Sequence, residues 1–429
     1  MHALEKILAA HAGLSEVTTG QIVTCRVDTA GVNDLYLQVL RSFEEMGGEK
    51  VWNPDRVVFF LDHYVPAPTI GAAENHKEMR EFCRKQGIKN LFDIDAGVCH
   101  QILAEKGFSR PGELIVVTDS HTTTHGVFGA FGTGVGATDL ATILISGEIW
   151  LRVPPVIKIV FDGRLKPYVS AKDMVLYALG KLGADIATYK AVEYAGEAVD
   201  RCSVSERMVL GNMAVEMGAK TSYIQPNQEV LDYVRSRTQK PFTVYTTDPD
   251  YKYEAEYHFD VSDLEPVVAA PSSVDNLREV AEVEGTHVDQ VFVGSCTGGR
   301  LEDLRIVARV LKNKRIAEGT RLIFSPATRE ILAEGLREGI VQDLLTAGAV
   351  MIPPGCGPCL GTHQGLLAPG EVAITTTNRN FPGRMGSPKA QIYLASPLTC
   401  AVAALTGHIT HPGRYVEADC CDGCGNSHS

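Results

Sequence analysis

The sequence predicts an α/β protein built on mostly parallel sheets, and three observations carry that expectation. Short β-branched runs end in polar or glycine-rich turns and give way to helical periodicity, as in "QVFVGSCTGGRLEDLRIVARVL" (290–311). Strands alternating with helices imply parallel sheets covered on both faces. The chain has 429 residues, too many for one ordinary core, so two or three domains are expected. The polar, cysteine and arginine clusters fall just beyond these strands, where ligands collect in open parallel sheets.

Taken in order, "MHALEKILAAHAGL" reads as a short amphipathic helix. It has neither an unbroken apolar stretch nor a cleavage site, so it is not a signal peptide. "ELIVVTDSHTTTHG" (113–126) is a strand ending in Asp119-Ser120-His121. The apolar window from Val127 to Leu151 is interrupted by glycines, Asp139 and Glu148, which makes it a poor membrane span. "LRVPPVIKIVFDGRLKPYVSAKD" (151–173) changes character after Pro154-Pro155 and opens a second unit. "LGNMAVEMGAK" (210–220) reads as a helix with Asn212 and Glu216 on one face at i and i+4. A polar stretch from Asp248 to Asp275 connects into a third unit. There "RLIFSPATREILAEGL", "AVMIPPGCGPC", "EVAITTTNRNFPGR" and "IYLASPLTCAVAAL" repeat the strand–turn–helix theme. The tail "EADCCDGCGNSHS" (417–429) lacks apolar periodicity and reads as disordered.

The formal net charge is -12, which opposes a broad phosphate-binding surface and disfavours nucleic acid as a partner. A small anionic substrate needs locally placed arginines instead. No membrane segment is expected, the location read from the sequence is cytoplasmic, and the 11 cysteines are then reduced or metal-bound.

Three readings stand for the pair in "PPGCGPCL". With Cys421 and Cys424 it makes a four-cysteine zinc site, although nothing holds that tail in place. A redox dithiol fits Gly357-Pro358 between the thiols but lacks a following helix. The third adds Cys296 from "GSCTGGR", which alone has a lesser reading as a small buried residue near a turn. Iron–sulfur clusters normally take four thiolates. A cluster on three leaves one iron open to substrate and turns an electron carrier into a Lewis acid.

"DSHTTTHG", "GSCTGGRLEDL", "GCGPCLGTHQG" and "TTNRNFPGRMGSP", in this order, closely resemble the aconitase superfamily over residues 3–416. The length resembles the large subunits of 3-isopropylmalate dehydratase, homoaconitase and dimethylmalate dehydratase. The resemblance implies an aconitase-like three-domain α/β/α architecture at 1–154, 155–282 and 283–416, lacking the swivelling fourth domain. It implies a [4Fe–4S] cluster on Cys296, Cys356 and Cys359 with one open iron. It also implies a hydro-lyase that isomerises 2- and 3-isopropylmalate, with homoaconitase or 2,3-dimethylmalate dehydratase as alternatives. A cluster-dependent RNA-binding protein is a distant alternative, which the acidic balance opposes.

The same resemblance carries over three acid–imidazole pairs: Asp62 with His63, His100 with Asp119, and His121 with Glu216. A carboxylate fixes the tautomer of its imidazole and holds it protonated, ready to protonate a departing hydroxyl. Any one of these residues alone reads as well as a turn cap. Asn33, Ser120, Arg379 and Arg384 match substrate-binding positions, the arginines offering a planar fork to carboxylates. Asn212 and Asn378 match positions near the cluster. Two departures stand out. Gly298 occupies a position where the motif usually has Asn, so a hydrogen bond around the cluster is expected to be missing. The family's catalytic serine belongs to the swivelling domain, so a small partner subunit is expected to supply it. The substrate is then a small hydroxy-di- or tricarboxylate.

Overall fold

The computed structural model describes residues 1–415; the cysteine-containing tail lies outside them. The chain clusters into two compact units, one of residues 1–160, 187–195 and 211–258, the other of residues 161–186, 196–210 and 259 onward.

The first unit is organised on a five-stranded parallel sheet of β1 (Thr29–Asn33), β2 (Val57–Phe60), β3 (Leu91–Phe92), β4 (Leu114–Val117) and β5 (Phe131–Gly134). Its spatial order is β3-β2-β1-β4-β5. The runs "VVFF" of β2 and "LIVV" of β4 are buried at every position, the pattern of a strand covered on both faces. Helix Ile70–Gln86 starts where the Thr69 hydroxyl accepts the Ala72 N–H and stops at Gly87, in the left-handed region at φ 71°. The window 127–151 resolves into β5, helix Ala137–Ser146 and strand Glu148–Arg152. Among the described residues no helix is long and apolar enough to cross a membrane. A further four-stranded sheet, in the order Thr221–Tyr223, Ala191–Ala195, Val156–Asp162, Ala255–Asp260, lies mostly within this unit.

The second unit holds a seven-stranded sheet of β6 (Val267–Ala269), β7 (Leu277–Glu279), β8 (Gln290–Val293), β9 (Arg321–Phe324), β10 (Val350–Met351), β11 (Val372–Thr375) and β12 (Gln391–Leu394), ordered β7-β6-β12-β11-β8-β9-β10. The five strands from β8 to β12 are parallel, and β6 and β7 add an antiparallel edge. Helices Leu301–Leu311, Ile340–Ala347 and Pro397–Thr406 contribute buried leucines, valines and alanines to the core over this sheet.

One sequence expectation needs correction. The helix expected over 210–220 ends at Met213 and tightens into a 3-10 turn, Ala214–Met217, before Gly218 at φ 83°. Asn212 and Glu216 are therefore not one turn apart on a single α-helix.

Phe59 on β2 is fully buried and packs tilted against Phe82 at a centroid distance of 5.8 Å. Phe59→Ala should cost about 3–5 kcal/mol, read as a drop in the urea midpoint with little change in slope.

Candidate active site

In a parallel sheet the carboxyl ends of all strands share one edge. In the first unit β2, β1 and β4 are neighbours, and the chain leaves them as Asp62-His63, Asn33-Asp34 and Asp119-Ser120. Residues remote in sequence are thereby gathered on that edge. The Asp62 carboxylate accepts from His63 Nδ1 at 2.7 Å and from the Cys99 N–H at 2.9 Å. His100 Nε2 donates to Asp119 at 2.8 Å, and His121 Nε2 lies 2.8 Å from Glu216. All three acid–imidazole pairs expected from sequence are thus in contact, and the structure joins them. Asp119 also accepts the His121 N–H at 2.8 Å, with His121 Nδ1 at 3.4 Å and His63 Nε2 at 3.5 Å.

Burial by itself raises the pKa of Asp119, but the hydrogen bonds and charge of His100, with those of His121 and His63, hold it well below the usual carboxylate range. Asp119 is therefore an ionised hub among imidazoles. The turn Ala214–Met217 delivers Glu216 to His121, and the Asn212 amide donates to the Thr124 hydroxyl at 3.0 Å. Both residues reach the segment Ser120–Phe128 although the α-helix has ended. Ser120 lies beside His121, 3.5 Å from its Nδ1.

Asn33 is fully buried, and both polar atoms of its amide lack a protein partner. A buried amide left unsatisfied costs about 1–3 kcal/mol, so its position at the strand end invites a ligand. Sequence reasoning passed over its neighbour Asp34. That carboxylate accepts the His63 and Tyr64 N–H groups at 3.0 and 2.9 Å and His76 Nε2 at 2.9 Å. Burial opposes its charge, but the His63 and His76 bonds prevail and hold it far below the ordinary value. The adjacency in "VND" was the only sequence signal; His76, 42 residues away, gave none. His125 and Ser109 were missed as well, although His125 lies inside the quoted "DSHTTTHG".

In the second unit the chain turns out of β8 into a one-turn helix, Ser295–Gly298, carrying Cys296. Ser295 sits at φ +64°, a strained conformation for a residue with a side chain. Cys356 precedes the 3-10 turn Gly357–Leu360 that follows β10, and Cys359 lies within it. All three thiols are buried, and none of the eight described cysteines forms a disulfide. The Asn378 amide, just past β11, links two of them. Its Nδ2 donates to Cys296 Sγ at 3.4 Å, and its Oδ1 accepts from Cys359 Sγ at 3.7 Å. Arg384 also donates to Cys359 Sγ at 3.7 Å. Arg379 is the next residue after Asn378.

Two side chains brace this loop that the sequence did not single out. Lys172 Nζ, buried, donates to the Thr376 and Thr377 carbonyls at 3.0 and 2.6 Å. Burial pulls its pKa down to about 8, against the thiols of Cys400, Cys296 and Cys359. Arg300 donates to the Cys296 carbonyl. Gly298 has a packing reason that outranks the expected missing bond. A Cβ there would lie 2.1 Å from Thr376 Oγ1, the atom that accepts the Gly294 N–H at 3.1 Å.

The profile of the Aconitase family (aconitate hydratase) matches residues 5–284 and 274–407. The chain is 51% identical to a probable methanogen homoaconitase large subunit of Methanothermobacter thermautotrophicus, over 98% of this chain and 99% of that one. It is 50% identical to a probable 3-isopropylmalate dehydratase large subunit of the same organism, covering 96% and 99%. A 3-isopropylmalate dehydratase large subunit of a Sulfurihydrogenibium species is 48% identical, covering 98% of each. Among solved structures, the holo-form of aconitase X from Thermococcus kodakaraensis matches with TM-score 0.52 at 15% identity, over 91% of this chain and 93% of that one. That likeness establishes the fold.

Two outcomes follow from this geometry. A carboxylate whose folded pKa is depressed contributes stability that is fully present above its unfolded value near 4 and is lost as pH falls toward the folded value. Asp34→Asn should therefore cost about 3–5 kcal/mol at pH 7, with the deficit shrinking on acidification below pH ~4, read from urea midpoints across pH. Gly298→Asn should cost about 1–3 kcal/mol by overpacking, read as a lowered melting temperature of the cluster-free chain.

Proposed function

Because the chain belongs to the aconitase family, we propose that it is the cluster-bearing large subunit of a hydro-lyase interconverting 2-isopropylmalate and 3-isopropylmalate by removal and re-addition of water. The observation that carries the reading is the set of three buried cysteines beyond parallel strands, none in a disulfide and two of them on one Asn378 amide. Buried soft sulfur donors suit iron–sulfur chemistry. Cys296, Cys356 and Cys359 would hold a [4Fe–4S] cluster, which supplies Lewis acidity toward a substrate oxygen at the iron left without a cysteine.

The remaining roles belong to side chains of this chain. Arg379 and Arg384 would clamp substrate carboxylates with their planar forks. Asn33 would spend its unpartnered amide on the substrate, and Ser120 would hydrogen-bond it. Asp62 and Asp119 keep His63 and His100 oriented with a proton on the nitrogen that faces each carboxylate. Glu216 does the same for His121, so the set can supply the proton that a departing hydroxyl needs. Asn212 would steady the segment carrying His121, and Asn378 would fix the sulfurs.

The relatives that the chain covers almost end to end are named large subunits, which supports a small subunit as partner. We assign to that subunit the swivelling domain and the catalytic serine. We assign the complex to the cytoplasm, where thiols stay reduced. We also propose the three-domain partition 1–154, 155–282 and 283–416. The five- and four-stranded sheets fall in the first two and the parallel strands β8–β12 in the third, while β6 and β7 precede the last boundary. Homoaconitase is the second reading, favoured by the 51% identity to a homoaconitase large subunit.

Reconstituted anaerobically with its small subunit, the pair should turn over isopropylmalate in preference to homoaconitate and dimethylmalate, and chelation of iron should abolish turnover. Cys296→Ser should bring activity to background. Preference for homoaconitate would replace the substrate assignment; full turnover by Cys296→Ser would overturn the cluster reading.

A further inference from the structure

Asp119 meets three imidazoles, and they differ in what lies at their other nitrogen. His63 has Asp62 at 2.7 Å from Nδ1, and His121 has Glu216 at 2.8 Å from Nε2. A carboxylate accepts only, so each of those nitrogens is held as N–H. His100 is placed otherwise. Its Nδ1 lies 3.4 Å from Nε2 of His125, whose own Nδ1 lies 2.8 Å from Ser109 Oγ. His100, His125 and Ser109 are all buried.

The hydrogen bookkeeping along this row is determinate. Asp119 is ionised and accepts, so His100 Nε2 carries a hydrogen. Burial first, and then the charge of His100, hold His125 far below the usual histidine range, so it is neutral with a single hydrogen. Only two arrangements leave every atom satisfied. When His100 carries two hydrogens, its Nδ1–H donates to His125 Nε2, and His125 Nδ1–H donates to the Ser109 oxygen. When His100 carries one, His125 Nε2–H donates to His100 Nδ1, and the Ser109 hydroxyl donates to His125 Nδ1. A hydroxyl serves in both because it donates or accepts by rotation. A carbonyl or an ammonium in its place would satisfy one arrangement alone.

The packing keeps the row in line. His100 lies in the first turn of helix Cys99–Glu105, and the Ser109 N–H is bonded back to the Leu103 carbonyl at 3.1 Å, so both ends of the row hang from one helix. His125 is fixed between them by β5, where Gly132 leaves no space. A Cβ there would lie 2.4 Å from the Thr122 carbonyl oxygen and 3.0 Å from His125 Cβ. The charges that bear on His125 are His100 and Asp119. Among the other charged groups nearby, Glu216 is engaged with His121, Glu105 with Gln101, and Asp232 with Gln228 and Arg235.

We propose that His125 and Ser109 are positioning residues whose hydrogen bonds follow the charge state of His100, so that His100 keeps its Nε2–H on Asp119 with or without a second proton. The pair makes His100 the member of the Asp119 hub that gains and loses a proton without stranding a buried polar atom. This deepens the hydro-lyase reading, since it rests on His100 belonging to the proton-handling set.

Ser109→Ala separates the two arrangements. A buried N–H without an acceptor is costly, so the variant should hold His125 as Nε2–H and His100 as the singly protonated ring. In [15N]histidine-labelled cluster-free chain, long-range proton–nitrogen spectra recorded as a pH series should show His125 changing tautomer in the wild type and fixed in Ser109→Ala. In the reconstituted complex the variant should lower kcat about 10-fold with KM within two-fold. His125→Gln, whose amide offers donor or acceptor by flipping, should recover most of the rate, whereas His125→Phe should not. Equal melting temperatures exclude a merely structural effect, and His125→Gln carries the test should Ser109→Ala fail to fold. A wild-type tautomer pattern in Ser109→Ala, or wild-type kcat in His125→Phe, overturns the proposal. A wild-type complex inactive on every hydroxy acid overturns the functional reading instead and leaves the spectra to decide the role of the pair.

Discussion

Asp119, a half-buried carboxylate whose side chain keeps 16% of its surface exposed, stays ionised because imidazoles and a backbone N–H surround it. Removing a charge from water costs several kcal/mol unless its partners replace the lost hydration. Here His100 and His121 supply close bonds while His63 adds a longer one. Each of those rings is in turn tied to a further group: Asp62 and Asp34 behind His63, Glu216 behind His121, His125 and Ser109 behind His100. The pairs read from sequence as three separate devices form one network, in which the loss of one member leaves a charge or a ring nitrogen exposed to apolar surroundings.

The second unit solves a related problem with softer atoms. Three thiols are brought to loops beyond parallel strands by turns with little room for side chains. Gly298 lies against Thr376, and Gly357 turns at φ 55° between the cysteines. The carbonyls of Thr376 and Thr377 point at Lys172, and the Thr297 hydroxyl donates to the Thr376 carbonyl at 2.8 Å. That bonding fixes the backbone just before Asn378, whose amide reaches two sulfurs. Lys172 is thus a remote determinant of where those sulfurs stand, and it places a buried cation in the electrostatic range of the thiols.

Much of this was legible in the sequence, and what was not has a physical cause. Asp119-Ser120-His121 after β4 was recognisable because a β-branched run marks the strand, whereas Asp62-His63 after β2 and Asn33 ending β1 came through the family resemblance; polar residues after parallel strands share one edge. Position along a strand therefore translates into position in space. Asp34, His76, His125, Ser109 and Lys172 escaped notice because they act through a partner contributed by another element, and no local spacing encodes that partner. Helix 210–220 was misjudged because its composition suits an α-helix throughout. Its tightening after Met213 follows from the bonds that Glu216 and Asn212 make to the segment Ser120–Phe128. The importance of Gly298 was visible only as a departure from a motif; the structure supplies its contact with Thr376.

The central claim is that three cysteines of this chain carry an iron–sulfur cluster with chemistry left at one iron. Iron, sulfide and zinc analysis of the anaerobically reconstituted chain, beside its visible spectrum, tests it most directly. The account predicts a brown protein with about four irons and four sulfides per chain, bleaching in air. A colourless chain holding stoichiometric zinc, or Cys296→Ser retaining the full iron and sulfide content, would contradict it.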